Sequence, residues 1–97
     1  MDIHFTFNQT SFVWNAHKAN VNKSKHGVSF EQATTAFFDP LFKLVDASAN
    51  QETRDAIIGY DEFGNLLFVV HIEVEEEFIR IISARKATPT ERKFYDF

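Results

Sequence analysis

The 97-residue sequence offers proton-transfer and anion-binding side chains, but no established catalytic motif. It has no cysteine, which excludes disulfides, thiolate metal sites and cysteine nucleophiles. It also has no glycine-rich phosphate loop, no HExxH and no GxSxG. Four scattered histidines share no i,i+4 helical spacing, so we expect no metal and no cofactor: His4, His17, His26 and His71. The remaining chemistry is acid–base transfer by histidine and phosphate binding by arginine and lysine.

The charges are unevenly distributed along the chain. The formal net charge is −4, yet residues 17–27 and 79–93 hold eight of the ten lysines and arginines. Glu91 is the only acid in these two windows, and the rest of the sequence is strongly acidic. This segregation makes a basic face on an acidic body possible, although two solvated helical faces would give the same pattern.

Capping residues predict three helices, at about residues 15–25, 29–39 and 88–95. These helices must help to position the basic side chains. The starts rest on Asn15, on Ser29 with Gln32, and on Thr88 with Pro89 and Glu91. The stops rest on Gly27 and on Asp39 before Pro40. The third helix is too short to be stable alone and must dock through its aromatic residues.

Apolar alternation and turn residues predict the strands. Residues 3–7 form a short strand, and residues 41–46, 54–60, 66–74 and 78–84 form three or four more. Short connections predict that the last three pair as an antiparallel meander. We therefore predict one α+β domain spanning residues 1–97. Two N-terminal helices would pack on a three- to four-stranded antiparallel sheet, with a short C-terminal helix.

Two sequence blocks carry a resemblance to a known family. KHGVSF at residues 25–30 and RIISARKA at residues 80–87 occur in the same order and at a similar separation in the BrnT family. Further matches run from the FVW at residues 12–14 to Tyr95, which is nearly the whole chain. The resemblance implies a RelE-like fold and a ribonuclease toxin of a type II toxin–antitoxin system that arrests translation. It also implies a BrnA-like ribbon-helix-helix antitoxin as partner, with operator DNA bound only through that complex.

The resemblance also directs attention to particular basic residues. Metal-independent RNA cleavage uses the 2′-hydroxyl as nucleophile, and it needs a base, a cation for the phosphorane charge and an acid. We predict catalytic roles for five residues: Lys25, His26, Arg54, His71 and Arg80. We predict RNA binding by three more: Lys18, Arg85 and Lys86.

Each catalytic candidate also has a structural interpretation. His26 precedes Gly27, where a cation favourably meets a helix C-terminus. His71 could be a hydrogen-bonded core histidine on the central strand. Ion pairs across the sheet could hold Arg54 to Glu52 and Arg80 to Glu73.

The length of the turn between the last two strands determines which of the predicted catalytic residues lie on the same face of the sheet. With a three-residue tip at residues 75–77, Arg80 points away from His71, and Ser83 and Arg85 join His71 on one face. With a two- or four-residue tip, His71 lies directly opposite Arg80. The sequence does not choose between these registers.

Two functions remain compatible with the sequence. The first is the ribonuclease toxin, and the second is a non-catalytic protein-binding module that acts only in complex with a DNA-binding partner. The sequence has neither an export signal nor an apolar run long enough to cross a bilayer, so we expect a cytoplasmic protein without membrane contact.

Overall fold

The computed structural model describes residues 1–48 and 52–97. Its elements are, in chain order, β1 (Asp2–Phe7), β2 (Thr10–Asn15), α1 (Ala16–His26), α2 (Phe30–Ala36), β3 (Lys43–Asp46), β4 (Asp55–Tyr60), β5 (Leu66–Val74), β6 (Phe78–Lys86) and α3 (Pro89–Tyr95). The strands form a six-stranded sheet in the order β1-β2-β6-β5-β4-β3. Within these residues, no helix is both long and apolar enough to cross a bilayer.

The sheet corrects the predicted architecture, while the α+β class is retained. The expected three- to four-stranded antiparallel sheet was wrong, because the sheet has six strands and is mixed. β2 runs parallel to β6, and every other neighbouring pair is antiparallel. The helices are also not the N-terminal elements, because the β1–β2 hairpin precedes them.

The missed strand β2 follows an unusual turn. Asn8 and Gln9, which connect β1 to β2, both have positive φ angles, of 53° and 67°. Asn is tolerated in this region, but the usual hairpin signal is Asn-Gly, which the sequence lacks. The parallel pairing of β2 with β6 joins residues far apart in sequence, so no local pattern indicates it.

The capping residues place the first two helices correctly. Asn15 accepts a hydrogen bond from the Lys18 amide at 3.0 Å, and Gly27 ends α1 with a φ of 73°. Such a left-handed residue at a helix end favours glycine. Ser29 caps α2 by accepting from the Gln32 amide at 3.0 Å.

Helix α2 is shorter than predicted. It ends at Ala36, and tighter turns then carry the chain toward Pro40. The hydroxyls of Thr34 and Thr35 donate to carbonyls three residues earlier, a local bond that competes with helical structure. The end of α2 also lies very close to β4. A Cβ added at Gly59 would come within 2.7 Å of the Ala36 carbonyl oxygen, so only glycine permits this approach.

Helix α2 covers one face of the sheet, which we call the core face. The buried apolar side chains of the core face include Phe12, Trp14, Ile57, Leu67, Val69 and Ile81, and Phe30 of α2 packs against them. Trp14 meets Phe30 edge to face, with ring centroids 5.8 Å apart.

Helix α3 begins with the predicted capping box at Thr88 and Glu91. It buries none of its residues fully. Of the aromatic residues expected to dock it, Tyr95 meets Tyr60 edge to face with ring centroids 5.3 Å apart, whereas Phe94 and Phe97 stay exposed, and polar contacts also hold the helix. The Tyr95 hydroxyl donates to Asp39 at 2.6 Å, and Arg92 donates to the Tyr60 hydroxyl at 3.1 Å. Burial, together with the Asp39 carboxylate, raises the pKa of Tyr95 to about 12.

Candidate functional site

The β5–β6 hairpin has the three-residue tip. Val74 lies opposite Phe78, which sets Arg80 opposite Ile72 and Ile81 opposite His71. Neighbouring residues of a strand point to opposite faces, so Arg80 and His71 lie on different sides of the sheet. Of the two registers that the sequence left open, the structure adopts the one that separates them.

A β-bulge changes the second half of β6. The register shifts between Val70 and His71, so that Val70 pairs with Ser83 and Ile82 is the extra residue. A bulge inserts one residue and inverts the alternation beyond it. The expectation that Ser83 and Arg85 join His71 was therefore wrong, because both lie on the same face as Arg80.

We call this second side of the sheet the outer face. On β6 it carries Arg80, Ser83 and Arg85, and on β5 it carries Phe68, Val70 and Ile72, all partly exposed. Arg54 immediately precedes Asp55, whose pairing partner is His71. Arg54 therefore lies one residue outside β4, and its carbonyl accepts a hydrogen bond from the Ala47 amide at 2.9 Å.

Helix α1 borders the outer face because Asn22 ties it to β6. Beyond the end of β2, the edge of β6 needs another hydrogen-bonding partner. The buried Asn22 amide supplies it: its Nδ2 donates to the Ala84 carbonyl at 2.8 Å, and its Oδ1 accepts from the Ala84 amide at 3.1 Å. The same Nδ2 also donates to the Val28 carbonyl at 3.0 Å. One side chain thus takes the place of a neighbouring strand.

A shallow groove of about 390 Å³ runs between α1 and β6. Its lining combines Ile82 and Ser83 of β6 with six residues of α1: His17, Lys18, Val21, Asn22, Lys25 and His26. Lys18 and Lys25 are exposed, and His26 is partly buried at the C-terminus of α1. The structure therefore brings three of the predicted residues alongside the strand that carries Arg80 and Arg85.

The predicted arginines have different partners. Arg54 pairs with Glu52, as its structural interpretation predicted. Arg80 pairs not with Glu73 but with Asp2 of β1, at 2.9 Å. This hydrogen bond lowers the pKa of the Asp2 carboxyl below its ordinary value.

Arg85 is the most constrained of them. Its guanidinium binds both carboxylate oxygens of Glu91, at 2.8 and 2.9 Å, and stacks over Phe68 with 4.4 Å to the ring centroid. The ion pair lowers the pKa of Glu91. Arg85 therefore anchors α3 as well as facing the groove side of the sheet, while Lys86, at the end of β6, is exposed.

His71 lies on the core face, away from this site. It is 6% exposed, its Nδ1 lies 3.2 Å from the Val69 carbonyl, and its ring meets Phe37 edge to face at 4.9 Å. Burial lowers the pKa of its imidazole. This environment is that of the hydrogen-bonded core histidine. In residues 1–48 and 52–97, no three histidine or acidic side chains cluster as metal ligands.

Two residues of the outer face were not among the sequence candidates. His4 of β1 pairs with Val13 of β2, and Val13 pairs with Arg80. Asp2 lies on the same face, two residues before His4. Only the parallel β2–β6 pairing brings β1 near Arg80, and no local sequence signal could have found it.

A comparison with known families decides the identity. Residues 14–91 match the sequence model of BrnT, the ribonuclease toxin of type II toxin–antitoxin systems. This span covers most of the chain. The protein belongs to the BrnT family. The groove between α1 and β6 lies inside the matched segment, whereas β1 lies outside it.

A solved BrnT structure agrees with this assignment. The fold is similar to the crystal structure of the Brucella abortus ribonuclease toxin BrnT, with a TM-score of 0.62 and 25% sequence identity. The likeness covers 77% of this chain and 92% of the Brucella chain. None of the curated protein sequences matches the chain.

Proposed function

We propose that this BrnT-family chain is a toxin that cleaves RNA internally without a metal and thereby inhibits translation. The observation that carries the proposal is the basic face along β6 and α1. Arg80 and Arg85 lie on one side of β6, and Lys18, Lys25 and His26 lie across the adjoining groove. We call these five residues the basic face.

The basic face contains the groups that the reaction needs. An arginine guanidinium grips phosphate and stabilises charge that develops on its oxygens, so Arg80 is the proposed phosphate ligand at the scissile bond. Arg54, which immediately precedes β4, is a second candidate for this role. Lys25 and His26 are the proposed proton-transfer or charge-stabilising groups on the α1 side. His71 is left out of this proposal because it is buried on the opposite face.

Charge confines RNA to this side of the protein. Two of the three predicted RNA-binding residues, Lys18 and Arg85, belong to the basic face. The third, Lys86, is exposed at the end of β6 but pairs with core-face Leu67, so it lies on the other side of the strand. Thirteen of the fourteen acidic residues lie outside the two basic windows of the sequence. We expect phosphate contacts to provide most of the affinity, as in other nucleic-acid complexes.

We further propose a BrnA-like ribbon-helix-helix antitoxin as the partner. Membership of a type II toxin family supports an antitoxin, and a protein that covers the basic face would block RNA most directly. The antitoxin could also bury exposed aromatic residues of the C-terminal segment, where Phe94 is 49% exposed. In this proposal operator DNA is bound only through the complex, and the toxin acts in the cytoplasm, where its RNA substrate lies.

The test is an RNA cleavage assay in EDTA with analysis of the product ends. We expect cleavage with 2′,3′-cyclic phosphate or 3′-phosphate ends. Arg80→Ala should lower the rate by about 100-fold, the size of effect seen when a transition-state donor is removed. Arg92→Ala, which changes an exposed arginine of α3, is the matched control and should retain activity.

Two results would contradict the proposal. A strict requirement for Mg²⁺, or products with 3′-hydroxyl ends, would exclude metal-independent attack by the 2′-hydroxyl. A chain that binds the antitoxin but cleaves no RNA under any of these conditions would favour the non-catalytic protein-binding module.

A further inference from the structure

Strand β1 lies outside the segment that matches the BrnT family, yet it reaches the basic face. It pairs with β2 from Asp2↔Asn15 to Phe7↔Thr10, and the family match begins only at Trp14. Because β2 separates β1 from β6 by a single strand, the outer face of β1 continues that of β6. This hairpin strand therefore enlarges the face on which Arg80 lies.

One cross-strand row connects β1 to the site. His4 pairs with Val13, Val13 pairs with Arg80, and Arg80 pairs with Ile72. Residues paired in this way point to the same side of a sheet. Val13 is 1% exposed, whereas His4 is exposed to solvent. An accessible imidazole thus shares a row with the proposed phosphate ligand.

The head group of Arg80 reaches across β2 to β1. Its Nη1 and Nη2 atoms donate to the two carboxylate oxygens of Asp2, at 3.4 and 2.9 Å. Asp2 sits two residues from His4 on the same face, so the guanidinium reaches the strand and the face that carry the imidazole. The remaining N–H groups of Arg80 stay available for a phosphate.

The charged groups around His4 are few. On β1 they are Asp2 and the Met1 amino group, and on β6 the one that faces it is Arg80. On β2 it faces Val13, with the uncharged Ser11 and Asn15 on either side. No hydrogen bond within the described part of the chain engages its ring nitrogens.

We propose that β1 adds His4 to the RNA-cleaving site as its catalytic base, with Asp2 positioning Arg80. This inference rests on the ribonuclease function proposed above. His4 takes the proton of the 2′-hydroxyl as the 2′-oxygen attacks phosphorus. The bond from phosphorus to the 5′-oxygen breaks, and that oxygen takes a proton from water. A 2′,3′-cyclic phosphate and a 5′-hydroxyl end result, while Arg80 stabilises the charge on the non-bridging oxygens.

Single-turnover cleavage of a fluorescent RNA between pH 5 and 9 tests this role. His4→Ala should slow cleavage by about 100-fold, within the range usual for loss of a general base. It should also remove the rise in rate through the pH range where histidine loses its proton. Thr6→Ala is the matched control, since Thr6 shares the strand and face of His4 but lies farther from Arg80. Its rate and pH profile should match those of the wild type.

A 5′-bridging phosphorothiolate substrate separates base from acid. The thiolate leaving group needs no proton, so it restores activity to a variant that lacks the general acid, but not to one that lacks the base. We expect His4→Ala to remain slow on this substrate.

Three outcomes would overturn the inference. A His4→Ala protein with the wild-type rate and pH profile removes His4 from the site while leaving the ribonuclease function intact. Rescue by the phosphorothiolate shows that His4 is not the base. A wild-type protein that cleaves no RNA defeats both this inference and the function on which it rests.

Discussion

The core face and the outer face of the sheet are built from the same strands, but their chemistry is different. On β6, Ile81 and Ala84 are buried on the core face, whereas Arg80 and Ser83 remain partly exposed on the outer face. The bulge at Ile82 makes this division possible, because it moves Ser83 and Arg85 to the side of Arg80. The buried core and the proposed RNA site therefore lie on opposite sides of this strand, and substitutions should separate their effects.

The largest effect that we expect is on the core face. Phe30→Ala should lower the free energy of unfolding by about 3–5 kcal/mol, because Phe30 is fully buried against Trp14. Phe94→Ala, at a half-exposed position of α3, should cost less than about 1 kcal/mol. Urea denaturation of both variants measures the difference. Equal losses would mean that the two faces do not differ in their contribution to stability.

A smaller effect is expected from the lysines bordering the outer face. Lys25→Ala should reduce the slope of log K against log[salt] by about 0.7, the value for one lost contact with single-stranded RNA. Fluorescence anisotropy with a 2′-O-methyl RNA gives this slope without cleavage. Lys43→Ala, at the far edge strand β3, is the control and should leave the slope unchanged. If both variants change the slope alike, RNA binding is not confined to the basic face.

The smallest effect that we expect is on the pH dependence of the melting temperature. Burial lowers the pKa of His71 in the folded state, so the unfolded chain binds a proton more readily. The stability that His71 contributes is present above the ordinary histidine pKa, about 6.5, and is lost as pH falls below it. The melting temperature of the wild type should thus fall more between pH 7 and 5 than that of His71→Leu.

Exposed His17 is the control for this measurement. His17→Ala should show the same pH dependence of melting as the wild type. If the melting temperatures of the wild type and His71→Leu fall equally between pH 7 and 5, burial of His71 does not couple its protonation to folding.

Local signals in the sequence predict the positions of most elements. Capping side chains locate the starts of all three helices, since Asn15, Ser29 and Thr88 each accept a backbone hydrogen bond as expected. Apolar runs bounded by turn residues locate β4, β5 and β6 to within two residues. These signals are local, and each rests on contacts between residues close in the chain.

The parts that sequence reasoning missed depend on distant contacts. Pairing of β2 with β6 turns a small antiparallel sheet into a mixed one of six strands. It also brings Asp2 to Arg80 and places His4 in the cross-strand row of Arg80. The bulge at Ile82 lies two residues before Ala84, whose backbone bonds the amide of Asn22 on α1, a contact between residues far apart in sequence. The three-residue hairpin tip places Glu75 and Glu76 at positive φ angles of 51° and 60°, which their residue type disfavours. The residues of the basic face could thus be named from the sequence, but not their arrangement.

The most direct test of the account is a map of RNA contacts on the folded protein. Amide chemical shifts, recorded during titration with a 2′-O-methyl RNA that cannot be cleaved, provide it. We expect perturbations to concentrate on α1, on residues 80–86 of β6 and on residues 2–4 of β1, and α2 to be unaffected. Perturbations confined to α2 and the hairpin tip at residues 75–77, with β6 unchanged, would contradict it.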